Sequence, residues 1–128
     1  MNLLRKERLD LVSDLLGYDL IDNGVLSAIL ADLAGNVLVD AQSNGHQYDK
    51  QSLASLAVGN FMAVSALLNY LEDTELTLLF HKGENLNIHF KKILNDFLLI
   101  SIFDKNISLG FLRLKIEKME SFFRSTLF

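Results

Sequence analysis

Apolar positions at helical spacing open and close the chain. Over residues 3–16, leucine and valine fall mostly on one face and charged residues fill the rest, a pattern that predicts an amphipathic helix. Gly17 is expected to stop that helix. Near the other end, apolar residues recur every three or four positions from Leu109 to Phe123, which predicts a second amphipathic helix.

The middle of the chain carries a third helix of a different kind. Asp49 is a plausible N-cap, and residues 51–71 contain no charged side chain. Apolar residues cover most of the circumference, so this helix is expected to pack against two partners. Its glutamine, serines and asparagines make it too polar for a lone membrane span, and no membrane insertion is expected.

Five segments of extended pattern complete the prediction. Residues 24–33 and 37–41 flank Ala34-Gly35-Asn36 and predict a hairpin in which Gly35 permits the turn. Residues 75–82 and 86–92 predict a second hairpin; a three-residue loop would pair Phe80 with Ile88 and place the apolar residues on one face. Residues 97–103 are apolar at all but one position, which indicates a central strand covered on both faces.

The element order is helix, two strands, helix, three strands, helix. It predicts an α+β sandwich, with one antiparallel five-stranded sheet that carries the outer helices on one face and the middle helix on the other. We expect one domain over residues 1–128. So short a chain leaves the uncharged helix partly exposed, and a second copy is therefore expected to pack against it as a homodimer.

Composition excludes several classes of function. The chain has 128 residues, no cysteine and a net charge of −4; disulfides, thiolate zinc sites and cysteine nucleophiles are therefore absent, and nucleic acid is an unexpected partner. The N-terminus lacks the pattern of a signal peptide, so a cytoplasmic location is expected.

No motif for chemistry stands out. The glycines build neither a phosphate loop nor a dinucleotide fingerprint, and no serine occupies a nucleophile elbow. His46 falls in a loop, while His81 and His89 are expected to be exposed and offset along the second hairpin. We therefore expect no enzyme, no metal and no cofactor.

Several strings, taken in order, resemble the roadblock/dynein light chain family. They are the strand, acidic residue and glycine turn of residues 24–38, the small-residue helix after Asp49, the apolar strand 97–103, and the sequence NISLGFLRL that starts at Asn106. The resemblance spans essentially the whole chain and is greatest to the prokaryotic regulators of the gliding-motility kind. Gly110, within that last string, is expected to allow close packing at the start of the last helix.

The resemblance implies a non-catalytic scaffold for protein-protein interaction. It would form a homodimer, or a heterodimer with a roadblock paralogue, through joined sheet edges and adjacent middle helices. It would bind or regulate a small Ras-like GTPase, including acceleration of GTP hydrolysis without an arginine finger. The alternative is a small-molecule-sensing domain on a similar sandwich.

The partner or dimer surface is expected along the middle helix. Polar residues are favoured for the partner, at least one of Phe61 and Met62 is expected at the dimer seam, and ordinary exposed or core positions are the alternative. The full set is Lys50, Gln51, Ser55, Val58, Asn60, Phe61, Met62 and Ser65.

Overall fold

The computed structural model describes residues 5–43 and 48–127, and within them the helices and strands follow the predicted order. His46 lies outside the described residues. The elements are α1 (Arg5–Asp19), β1 (Ser27–Asp32), β2 (Val37–Gln42), α2 (Lys50–Tyr70), β3 (Leu78–Lys82), β4 (Asn87–Ile93), β5 (Phe97–Phe103) and α3 (Leu109–Leu127), with a 3₁₀ turn at Ile21–Asn23.

The five strands form one antiparallel sheet in the order β2-β1-β5-β4-β3. The apolar strand β5 is central, and every residue after Phe97 in it is buried. A strand covered on both faces needs no polar alternation, which explains the continuous apolar run. The central position predicted for this segment is confirmed.

Helices cover the sheet on both faces. Val12 and Leu16 of α1 pack in one core with Leu112 and Phe123 of α3. Ala54, Ala57, Val58 and Phe61 of α2 form the other core with β1, β4 and β5. The predicted α+β sandwich, with outer helices on one face and the middle helix on the other, is confirmed.

Hydrogen bonds to the side chain of Asp32 stabilise the turn of the first hairpin. Asp32 Oδ1 accepts from the backbone N–H of Ala34 at 3.0 Å and of Asn36 at 2.9 Å. Hydrogen bonding by Asn36, its side chain first, holds the pKa of Asp32 below its ordinary value despite an opposing effect of burial. Gly35 has a φ of +90°, a conformation that costs glycine little.

The prediction that Gly17 stops the first helix is wrong, because α1 continues to Asp19. Leu16 and Leu20 are both fully buried, and Leu20 N donates to Leu16 O at 3.0 Å, so core packing carries the helical turn past the glycine. The left-handed cap falls later, at Gly24 with φ +106°, after the 3₁₀ turn. The first strand therefore begins at Ser27 rather than at residue 24.

The predicted register of the second hairpin is wrong by one residue. Phe80 pairs with His89, and Leu79 with Phe90, because Gly83 N donates to Leu86 O at 2.8 Å and closes a four-residue loop. The apolar residues are thereby divided between the faces: Leu79 and Phe90 pack toward α2, and Phe80 toward α3. Both faces carry a helix, so neither arm needs a single apolar side.

His89 is also placed differently from the prediction. It is only 1% exposed, because it lies on the face of the sheet that α3 covers, opposite to Ile88 and Phe90. His81 is exposed and points to the α2 face, where it contacts Asn60. The two imidazoles are not paired, but only one of them is exposed.

Candidate interaction surface on the middle helix

The outward side of α2 is apolar and uncovered. Leu56 is 74% exposed, Leu67 57% and Tyr70 83%. These positions lie on the helix face opposite Ala57 and Phe61, with Gly59, Ala63 and Ala66 between them, all exposed. We call the outer α2 strip the set formed by Leu56, Met62, Leu67, Tyr70 and the C-cap residue Leu71.

The inward side of α2 holds two residues predicted for the interface. Val58 is 5% exposed and Phe61 2% exposed, both in the core with the sheet. The prediction that they lie at a partner or dimer interface is therefore wrong, because the sheet of the same chain already covers them. Met62, at 45% exposure, stays available to a partner.

Polar residues fasten the start of α2 to the first hairpin. Asp49 caps the helix by accepting from Ser52 N at 3.1 Å, as predicted. Gln51 Nε2 donates to Gly35 O at 2.7 Å and to Ser55 Oγ at 3.1 Å. Lys50 Nζ lies 3.8 Å from Asp40 Oδ2. Lys50, Gln51 and Ser55 are exposed and together form a polar patch at this end of the strip.

Asn60 links the strip to the edge of the sheet. Its Oδ1 lies 3.1 Å from His81 Nε2 on β3, and β3 is the last strand on that side. α2 itself packs mainly over β1, β2 and β5, which leaves Leu79 and Ile88 partly exposed. Ser65 is half-buried at the flank of the helix. The outer α2 strip and the free edge of β3 are therefore continuous.

Sequence reasoning did not single out Leu56, Leu67, Tyr70 or Leu71 as surface. The signal was available, since Leu56, Leu67 and Tyr70 fall on the side of a helical wheel away from Ala54 and Phe61. What was missing was the knowledge of which side faces the sheet. That side became certain only with the fold.

Gly110 lies away from the middle helix, at the start of α3. Gly110, predicted to allow close packing, is exposed at the start of α3, and an added Cβ would meet nothing within 4 Å; that prediction is wrong. Within the described ranges, no group of three or more histidine, cysteine or acidic side chains is arranged to hold a metal. Among the same residues, α2 alone has the length and composition of a bilayer span.

Among known proteins, the fold of the chain has matches that its sequence does not. Neither protein-family models nor curated proteins match the sequence. Solved structures do: MglB of Myxococcus xanthus has 27% identity and a TM-score of 0.79, covering 89% of this chain and 95% of that one. The gliding protein MglB of Thermus thermophilus has 24% identity and a TM-score of 0.78, covering 94% and 88%.

A Roadblock/LC7 domain from Streptomyces avermitilis matches at 12% identity with a TM-score of 0.72, covering 81% of this chain and 86% of that one. The chain therefore has the fold of roadblock domains. Within that type the chain is similar to the MglB-like branch, which confirms the resemblance seen in the sequence.

Proposed function

We propose that the chain is a dimeric, non-catalytic regulator or scaffold for a small Ras-like GTPase, formed when two copies join through the outer α2 strip. The observation that carries the proposal is the uncovered apolar face of α2, whose residues after Lys50 carry no charge. Exposed apolar surface of this extent on one helix typically marks a protein interface, and the similarity to MglB indicates the kind of partner.

A second copy fits the strip for three reasons. The face is apolar and carries no charge, so two such faces meet without repulsion or unpaired charge. It continues into the free edge of β3, where unpaired backbone groups can join a second sheet. A twofold axis beside α2 would also place the partner's helix over the uncovered part of β3 and β4, in a self-complementary interface.

The GTPase is proposed to contact the polar patch. Lys50, Gln51 and Ser55 are exposed. The hydrogen bonds of Gln51 to Gly35 O and Ser55, and the ion pair of Lys50 with Asp40, hold them in place. A preformed polar surface loses little conformational entropy on binding. Regulation would then act through contact with the GTPase's own site, in the cytoplasm, and this chain would supply no arginine finger.

Dimerisation is tested by light scattering with a matched pair of variants. Leu67 and Leu114 are exposed leucines on different helices, at 57% and 50%. The wild-type chain is expected at twice 14.4 kDa. Leu67→Asp would place a carboxylate in the interface, a cost of several kcal/mol, and should give the monomer mass. Leu114→Asp should stay dimeric. A monomeric wild type, or a dimeric Leu67→Asp, contradicts the proposal.

The GTPase is tested by adding a candidate Ras-like GTPase, loaded with GDP or a GTP analogue, to the same samples. Binding that depends on the nucleotide is expected. Lys50→Glu should weaken it at least tenfold, while Lys118→Glu on α3 should leave it unchanged. Absence of a complex with either nucleotide form would remove the GTPase from the proposal and leave the dimer standing.

A further inference from the structure

A polar pair is buried under α3, on the face of the sheet away from the outer α2 strip. His89 of β4 and Ser101 of β5 are directly opposite in the register, and they are 1% and 0% exposed. No described residue hydrogen-bonds to either imidazole nitrogen or to Ser101 Oγ. Burial of polar groups without partners is costly, so these atoms are expected to be satisfied by a buried water or by a bound ligand.

A pocket of about 350 Å³ opens beside His89, between β4 and α3. Leu78 and Ile116 give it apolar walls, and Arg113 and Glu117 of α3 face it from one side. The volume is at the lower end of small-molecule sites, which combine apolar walls with a few polar groups. We call this the β4-α3 pocket.

The charges around the pocket are not all paired. Lys91 Nζ lies 3.5 Å from Glu120 Oε1, so those two neutralise each other. Arg113 forms no ion pair with any described residue. Its guanidinium offers the planar fork of donors that matches a carboxylate.

We propose that the β4-α3 pocket binds a small aliphatic carboxylate, with its carboxylate between Arg113 and His89 and its aliphatic body against Leu78 and Ile116. Glu117, one helical turn after Arg113, would distinguish two kinds of aliphatic carboxylate. An α-amino acid would place its ammonium group there, whereas a simple carboxylate would leave Glu117 unpaired. The site is independent of the function proposed above, because it lies on the other face of the sheet.

His89 gives the binding a distinctive pH dependence. Burial first, then the positive charges of Arg113 and Lys91, lower the pKa of His89 to about 4. A bound carboxylate would raise that pKa, so affinity should rise up to about tenfold as pH falls from 7.5 to 5.5. Glu117 and Glu120 are the acidic groups that face His89 from α3, Phe80 and Leu78 of β3 add no charge, and Ser101 of β5 is neutral.

The test is calorimetric titration of the full chain with isovalerate and with L-leucine. Arg113 is exposed, so Arg113→Gln should fold and should lose at least tenfold in affinity, while the α3 control Lys118→Gln should match the wild type. Leucine binding tighter than isovalerate and weakened by Glu117→Gln identifies the amino acid; equal or tighter isovalerate identifies the simple carboxylate. Either result supports the proposal.

A structural water between His89 and Ser101 would satisfy the same atoms and is the outcome that overturns the proposal. It would appear as no heat with either probe at millimolar concentration, or as unchanged affinity in Arg113→Gln. As a second readout, His89→Asn should remove the pH dependence of binding. An affinity that still rises tenfold toward pH 5.5 in that variant would also exclude the proposed position of the carboxylate.

Discussion

The two faces of the sheet bury their apolar side chains in different ways. Toward α1 and α3, the chain closes a large core by itself, from Val12 to Phe123. Toward α2, one helix covers a smaller core built on β1 and β5, and its outer side carries large exposed residues such as Leu56 and Tyr70. One face is complete within the chain, and the other leaves apolar surface for a partner.

The complete face contains the buried polar pair, whereas the outer α2 strip of the incomplete face contains no charged side chain. His89 and Ser101 lie in the α3 core, where small molecules reach them only through a pocket. The strip on α2 offers a broad surface without a pocket. The comparison suggests a division of roles, in which proteins approach one face and small ligands the other.

The largest expected effect tests whether the core between α2 and the sheet stabilises the single subunit. In a Leu67→Asp background, which is expected to be monomeric, Phe61→Ala should lower the free energy of unfolding by about 3–5 kcal/mol, as expected for a buried phenylalanine. Phe123→Ala on the other face should cost a similar amount. Urea unfolding measures both; a loss below about 1 kcal/mol for Phe61→Ala would show that α2 is only loosely attached.

Acid should destabilise the complete face selectively. The pKa of His89 is lowered from 6.5 to about 4 by burial, with Arg113 and Lys91 adding to the effect. The unfolded chain therefore binds more protons between pH 6.5 and 4, and stability present above pH 6.5 is lost as the pH falls. Unfolding in urea at pH 7 and pH 4.5 should differ by about 2–3 kcal/mol from this residue.

The control for that pH effect is His89→Asn, which has no titrating group. Its stability should change less between the two pH values than that of the wild type. An equal loss in wild type and variant would assign the acid sensitivity to carboxylates elsewhere.

The smallest expected effect comes from replacing one glycine in α1 and one in α2 with alanine. Gly17 in α1 and Gly59 in α2 are both helical, and an added Cβ meets nothing within 4 Å at either one. Each change to alanine should stabilise the subunit by about 0.5–1 kcal/mol. Gly59→Ala alone should weaken the dimer, since Gly59 lies along the outer α2 strip. Thermal unfolding and sedimentation equilibrium measure the two effects, and an unchanged dimer places Gly59 outside the interface.

Elements with an uninterrupted pattern were predictable from the sequence. The apolar run of β5 and the uncharged α2 with its Asp49 cap appear in the structure where the pattern placed them. Local composition decides such elements, because they are buried on both sides or capped by a neighbouring residue. The sandwich then followed from their order.

Register and orientation were not predictable in the same way. The second hairpin slips by one residue because Gly83 bonds to Leu86 O, a contact that composition does not reveal. The inward side of α2 depends on the sheet beneath it, so the sequence left both Phe61 and Met62 as candidates for the seam, although Phe61 belongs to the core. His89 shares its local pattern with exposed strand histidines, and only the position of α3 makes it buried.

The proposed dimer would also make protein concentration a variable of stability. A subunit whose Leu56, Leu67 and Tyr70 are covered only by a second copy is stabilised by mass action, so its melting temperature should rise with the amount of protein present. Dilution would expose the same apolar strip. The abundance of the chain in the cell would then set how much of it exists in a form that offers its polar patch to a partner.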